Sequence, residues 1–175
     1  MSFKALNIGS GQRRFEGHGW INIDAVSRPG QVPDLILDVG KDPLPYPDNS
    51  MEYVVLHQVY EHFGCGEGHA LIKECYRVLR PGGILIVTVP DMLELADAWL
   101  KNRIDDYIFF VNTYGAYQGV DSDRHKLGYC ADGLSKDLLA ASPWQYIFSR
   151  RTDGKIIPGA DIARDWWILE VECVK

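Results

Sequence analysis

Long apolar runs are missing from this chain of 175 residues. None approaches the roughly 20 residues needed to span a bilayer. The first residues also lack the basic, apolar and small-residue zones of a secretory leader. A cytoplasmic protein without a membrane partner is therefore expected. Positive charge is in short supply: 18 Lys and Arg stand against 24 Asp and Glu, for a net charge of −6. That balance argues against a nucleic-acid partner, which would demand a basic footprint. Arg150-Arg151 offers at most a local basic patch. Cysteine is sparse, and Cys65, Cys75, Cys130 and Cys173 form no Cys-x-x-Cys pair. The five histidines are scattered and have no cysteine at ligand spacing. Free thiols and no metal site are the expectation.

What remains is an ordinary globular composition, 46% hydrophobic and 24% charged. It suits one domain over residues 1–175 with a real core. Lys4–Ile8, Trp20–Asp24, Leu35–Asp38 and Glu52–Leu56 read as short strands. His69–Arg80 sets Leu71, Ile72, Cys75, Val78 and Leu79 on one helical face, and Pro81-Gly82-Gly83 stops it. Ile84–Val89 is a continuous, β-branched run, as in a strand buried on both faces. Asp91–Asn102 and Leu134–Ala141 suit helices. Gln145–Arg150 and Trp166–Val174 suit two late strands, joined through Asp153-Gly154 and Pro158-Gly159. Alternating strands and helices imply an α/β fold with a mainly parallel sheet, and the last two strands suit an antiparallel hairpin. One of Trp166 and Trp167 must face away from the core, toward a helix or a second copy of the chain.

The strand ends carry the chemistry. The first strand breaks into Gly9-Ser10-Gly11, the second ends at Asp24 and the third at Asp38. The fourth runs into His57 and the fifth into Pro90-Asp91. In an open parallel sheet all of these lie on the edge where ligands bind. Glycines bare the backbone for close approach, and an acid at the second strand end suits a ribose. A dinucleotide fingerprint would want a third glycine at position 14, where Arg14 stands. The stretch from Gly11 to Trp20 is also too short for a full crossover helix. Both points disfavour a nicotinamide oxidoreductase.

In these features the chain resembles the Rossmann-like, S-adenosylmethionine-dependent methyltransferases, most nearly the compact type 11 group. The resembling segments are Leu6-Asn7-Ile8-Gly9-Ser10-Gly11 and Gly19-Trp20-Ile21-Asn22-Ile23-Asp24. They continue with Leu44-Pro45-Tyr46-Pro47-Asp48-Asn49-Ser50, His57-Gln58-Val59-Tyr60-Glu61-His62 and Arg77-Val78-Leu79-Arg80-Pro81-Gly82-Gly83. The resemblance implies a three-layer fold whose seven-stranded sheet ends in an antiparallel strand. It implies S-adenosylmethionine as cofactor. Gly9 and Gly11 would wrap its methionine part, with Asn7 nearby where many relatives carry an acid. Asp24 would hold the ribose, and Asp38 and the Val39 backbone would meet the adenine. His57 would sit beside the sulfonium.

The implied reaction moves a methyl group to an O or N of a small-molecule or glycan acceptor. A non-catalytic binding module is the alternative, since Asn7 is neutral and no capping helices precede the first strand. Asn112–Tyr129, irregular and rich in glycine and aromatics, is the expected acceptor wall. Within it His125 is the candidate proton acceptor. Glu61 is expected to cap a turn and His62 to pack under a loop.

Overall fold

Residues 4–116, 119, 121–150 and 167–175 are described by the structure, a computed structural model. Asp153-Gly154 and Pro158-Gly159, expected to join the last two strands, lie outside those residues with Arg151 and Trp166. Among the described residues seven strands form one sheet: β1 (Ala5–Ile8), β2 (Trp20–Asp24), β3 (Leu35–Ile36), β4 (Met51–His57), β5 (Leu79–Pro90), β6 (Tyr146–Arg150) and β7 (Ile168–Val174). Their order is β3-β2-β1-β4-β5-β7-β6. The first five strands run parallel, and β7 lies antiparallel between β5 and β6. The mainly parallel sheet and its antiparallel hairpin thus match the pattern of the sequence.

Among the described residues four α-helices accompany the sheet: α1 (Cys65–Val78), α2 (Met92–Leu100), α3 (Asp106–Tyr114) and α4 (Ala131–Ala141). On α1 the buried residues Gly68, Leu71, Ile72, Cys75 and Val78 form one stripe. They pack with Leu134 and Leu138 of α4 against Leu6, Ile8, Val54, Leu56, Leu85 and Val87 of the sheet. Side chains alternate along a strand, so Ala5, Val55 and Ile86 face the other way. There they meet Phe15 and Trp20 in a smaller cluster. Phe15 belongs to the β1–β2 connection, which together with the links to β3 and β4 contains no helix. The short spacing from Gly11 to Trp20 leaves no room for one.

Three local differences from the sequence reading have physical causes. The helix expected over His69–Arg80 starts earlier, at Cys65, where the Gly64 N–H donates to Glu67 Oε2 at 3.2 Å. It passes at Leu79 straight into β5, and Pro81-Gly82-Gly83 forms a bulge within the strand edge. Met51 pairs with Leu79 but Tyr53 with Ile84. Helix α3 occupies a segment that the sequence left unassigned, and its end falls in the stretch expected to be irregular. None of its residues is fully buried. It is held instead by a stack of Phe109 on Trp99, with centroids 4.6 Å apart, and by Asp105, whose side chain accepts from the Ile108 N–H at 2.8 Å.

Candidate functional site

Parallel register sets Ile8, Ile23 and Leu56 side by side, so the residues that follow them share one edge of the sheet. A cleft of about 560 Å³ opens there. Its floor is the turn after β1. Gly9 and Gly11 both take left-handed backbone, with φ of +67° and +45°. A Cβ on Gly9 would stand 2.4 Å from Val59 Cγ2, whereas one on Gly11 would meet only the Gly9 carbonyl, at 4.0 Å. Gly9 is thus required by packing, and Gly11 bares the cleft.

Asp24 is fixed from both sides. Its Oδ2 accepts from the Gly11 N–H at 2.8 Å and its Oδ1 from the Val26 N–H at 3.0 Å. Asp38 and Val39 also line the cleft. The Asp38 carboxylate accepts from Lys41 Nζ at 2.7 Å and from the Gly40 N–H at 3.1 Å. The Lys41 ammonium holds that carboxyl below the usual carboxylate range. Lys41, Arg28 and Lys126 line the same cleft. Each is paired with an acid: Asp38, Asp123 and Glu67 respectively.

Asn7 and His57 are not among the lining residues. Asn7 lies beneath the glycine turn and spends its amide on the Arg13 carbonyl at 2.7 Å and on Asn22 Oδ1 at 2.9 Å. Both contacts need a donor, which explains a neutral residue here: a carboxylate could satisfy neither. Asn22 in turn links to Phe15 and Asp34, so the turn rests on a buried polar brace. His57 is also buried, and its Nδ1 lies 2.6 Å from Thr88 Oγ1. Asp91, at the end of β5, caps α2 by accepting from the Leu93 N–H at 3.1 Å.

The sequence reading missed several lining groups: Val26, Arg28, Gln58, His62 and Phe63. Gln58 carried the one available signal, since it follows a strand directly. It adopts φ of +56°, and its Nε2 is buried without a hydrogen-bond partner among the described residues. An orphaned donor in a cleft wall is the mark of an incomplete polar site.

Of the expected acceptor wall, Asp121, Ser122, Asp123 and Lys126 border the cleft. His125 does not. Its Nδ1 lies 2.9 Å from the Asn112 carbonyl, and its ring meets that of His62 edge to face at 4.7 Å. Burial and the neighbouring His62 push its pKa down to about 4. Glu61 caps no turn. It is buried, and burial pushes its carboxyl up to about 8.

Residues 24–87 match a family model described as a methyltransferase domain. Over 121 residues the chain is 44% identical to a probable S-adenosylmethionine-dependent methyltransferase of Mycolicibacterium smegmatis, covering 58% of this chain and 46% of that protein. A probable S-adenosylmethionine-dependent methyltransferase of Mycobacterium tuberculosis is 29% identical over 121 residues, with 58% and 43% covered. The chain thus spans less than half the length of these curated relatives. A methyltransferase structure from Archaeoglobus fulgidus aligns with a TM-score of 0.65 at 15% identity, over 99% of this chain and 86% of that one. The 1,6-didemethyltoxoflavin-N1-methyltransferase of Burkholderia thailandensis, solved with bound 1,6-didemethyltoxoflavin and S-adenosylhomocysteine, gives 0.62 at 14%, over 99% and 71%. Over residues 24–87 the chain is thus similar in sequence to a methyltransferase domain, and over almost its whole length it has the Rossmann-like fold of solved S-adenosylmethionine-dependent methyltransferases.

Proposed function

We propose that this cleft binds S-adenosylmethionine and that the chain transfers its methyl group to an oxygen or nitrogen of a small-molecule or glycan acceptor. Asp24 is the observation that carries the reading. A carboxylate has about four lone-pair sites, and two are spent on the Gly11 and Val26 amides. The two that remain suit the paired hydroxyls of a ribose. Gly9 and Gly11 offer bare backbone for the methionine part. Asp38 and the Val39 backbone suit the adenine, beside the apolar walls of Leu37 and Phe63. The buried, unpartnered Gln58 Nε2 adds a donor that a polar ligand would satisfy.

When bound, this cofactor supplies a methyl group already activated by its sulfonium. The protein must then hold the two reactants in line and exclude water. Asp121, Ser122, Asp123 and Lys126 line the cleft and form the proposed acceptor wall. His125 stands behind that wall, and a pKa of about 4 leaves it neutral at pH 7 but a weak base. Transfer therefore rests on alignment more than on proton removal. The Burkholderia neighbour, solved with bound 1,6-didemethyltoxoflavin, supports a small-molecule acceptor.

Calorimetry with S-adenosylmethionine, S-adenosylhomocysteine and NAD tests the cofactor. Binding of the first two without NAD is expected, and the reverse would refute the reading. Turnover on a panel of hydroxyl and amine acceptors then separates an enzyme from a binding module.

A further inference from the structure

Behind the acceptor wall lies a cluster whose members are far apart in the sequence. Glu61 and His62 sit on the 3-10 turn after β4, and His125 comes from the segment that walls the cleft. One ligand-type atom from each lies within 4.8 Å of the other two. Glu61 Oε1 is 4.0 Å from His125 Nε2. Glu61 is 1% exposed, and neither of its carboxylate oxygens has a hydrogen-bond partner among the described residues. A carboxylate buried in that way is costly unless a cation or donors meet it.

We propose that Glu61, His62 and His125 form a binding site for a divalent transition-metal ion, with zinc as the best-fitting occupant. The two imidazoles are prepared for it. His125 Nδ1 lies 2.9 Å from the Asn112 carbonyl and His62 Nδ1 lies 3.1 Å from the Arg124 carbonyl. A carbonyl at Nδ1 fixes the proton there and leaves Nε2 as the lone-pair nitrogen, the usual outer-shell support of a metal-bound histidine.

The backbone also holds the two segments together. The Glu61 carbonyl accepts from the Lys126 and Leu127 N–H groups at 2.8 and 3.1 Å, and the His125 N–H donates to the Tyr114 carbonyl at 3.1 Å. Ligand bonds of about 2.0–2.1 Å place tetrahedral ligand atoms about 3.4 Å apart, so contraction by at most about 1.4 Å closes the cluster on an ion. Two imidazoles and one carboxylate suit zinc and its transition-metal neighbours. Magnesium and calcium prefer all-oxygen shells. His62 belongs both to this cluster and to the lining of the cleft, so an ion here would stand at the cleft wall.

The test uses the full chain, free of tags and stripped of metal, without S-adenosylmethionine. Zinc chloride is titrated by calorimetry and cobalt(II) by visible absorption. One equivalent of zinc per chain is expected, together with a cobalt band that zinc abolishes. Glu61→Gln keeps the shape and removes the charge. It should weaken zinc binding by more than about 100-fold, beyond the 10–100-fold typical of losing an outer-shell partner. His62→Asn and His125→Asn provide second and third variants, with circular dichroism checking the fold of each. No stoichiometric zinc uptake by the folded protein would overturn the proposal. So would uptake that survives all three substitutions, or magnesium binding as tight as zinc. Since no methyl donor is present, this result and the cofactor titration can fail independently.

Discussion

Replacing Asp24 with alanine separates two jobs that one carboxylate performs. Its two backbone contacts hold the Gly11 turn and the start of the β2–β3 connection. Both are bonds to a charged acceptor, worth about 1.5–3 kcal/mol each, so Asp24→Ala should lower stability by about 3–6 kcal/mol. The remaining lone pairs are those proposed to meet the ribose. Two hydrogen bonds to a charged acceptor, at about 1.5–3 kcal/mol each, total about 3–6 kcal/mol. With tenfold for each 1.4 kcal/mol, the dissociation constant for S-adenosylmethionine should rise about 10²–10⁴-fold. Asp24→Asn keeps one acceptor oxygen and should fall between wild type and Asp24→Ala. Urea denaturation measures the first effect, and calorimetry with S-adenosylmethionine and S-adenosylhomocysteine measures the second. A folded Asp24→Ala protein that binds within about threefold of wild type, a change under 1 kcal/mol, would remove Asp24 from the site.

Gly9→Ala should destabilise the fold by more than the ~1–2 kcal/mol of a left-handed residue, because its Cβ also meets the stiff, buried Val59; urea denaturation reads this. Gly11→Val should keep the circular dichroism spectrum and lose cofactor binding, since its Cβ clashes with no neighbour but its side chain would crowd the cleft floor. The Arg77 guanidinium beside Glu74 holds that carboxyl below its ordinary value. A depressed folded pKa gives stability that is present above the unfolded pKa and lost as pH falls, so Glu74→Gln should flatten part of the acid limb below about pH 4.5. A thiol reagent followed by mass spectrometry should label Cys65, which is exposed, and spare Cys75 and Cys173, which are buried. Burial pushes the Cys173 thiol up to about 12 and Cys75 higher still, and only thiolates react.

The central strands were legible because burial on both faces writes itself as a continuous apolar run. Helix α1 was legible because its stripe repeats along one face. Helix α3 was not: Tyr107, Ile108, Phe110 and Tyr114 are apolar yet remain exposed, so no single face stands out. The proline-rich loop at residues 43–50 could be read as rigid, but not as tied to Arg77. That guanidinium donates to the Leu44 and Tyr46 carbonyls and to Asp48. In the site, Gly9, Gly11, Asp24 and Asp38 could be placed because strand ends mark them. Asn7 and His57 also sit along strands, but alternation turned them toward the Asn22 brace and Thr88 instead. Val26, Arg28 and Phe63 lie in connections with no period at all. The meeting of Glu61, His62 and His125 depends on how one segment is tied back over another. Local spacing holds no trace of it.

The position of β7 has a consequence for how the chain assembles. It is inserted between β5 and β6, so β6 has no place in the sheet until a segment later in the chain has docked. Before that moment the edge of β5 stands open from Ile84 to Pro90, the stretch that later pairs with β7. An open edge is a template for another chain, and long-range pairings of this kind form late. A nascent or truncated chain that stops short of Ile168 therefore loses the pairing of two strands, not one. It also exposes its stickiest edge, and it is in that state, before β7 arrives, that aggregation should compete hardest with folding.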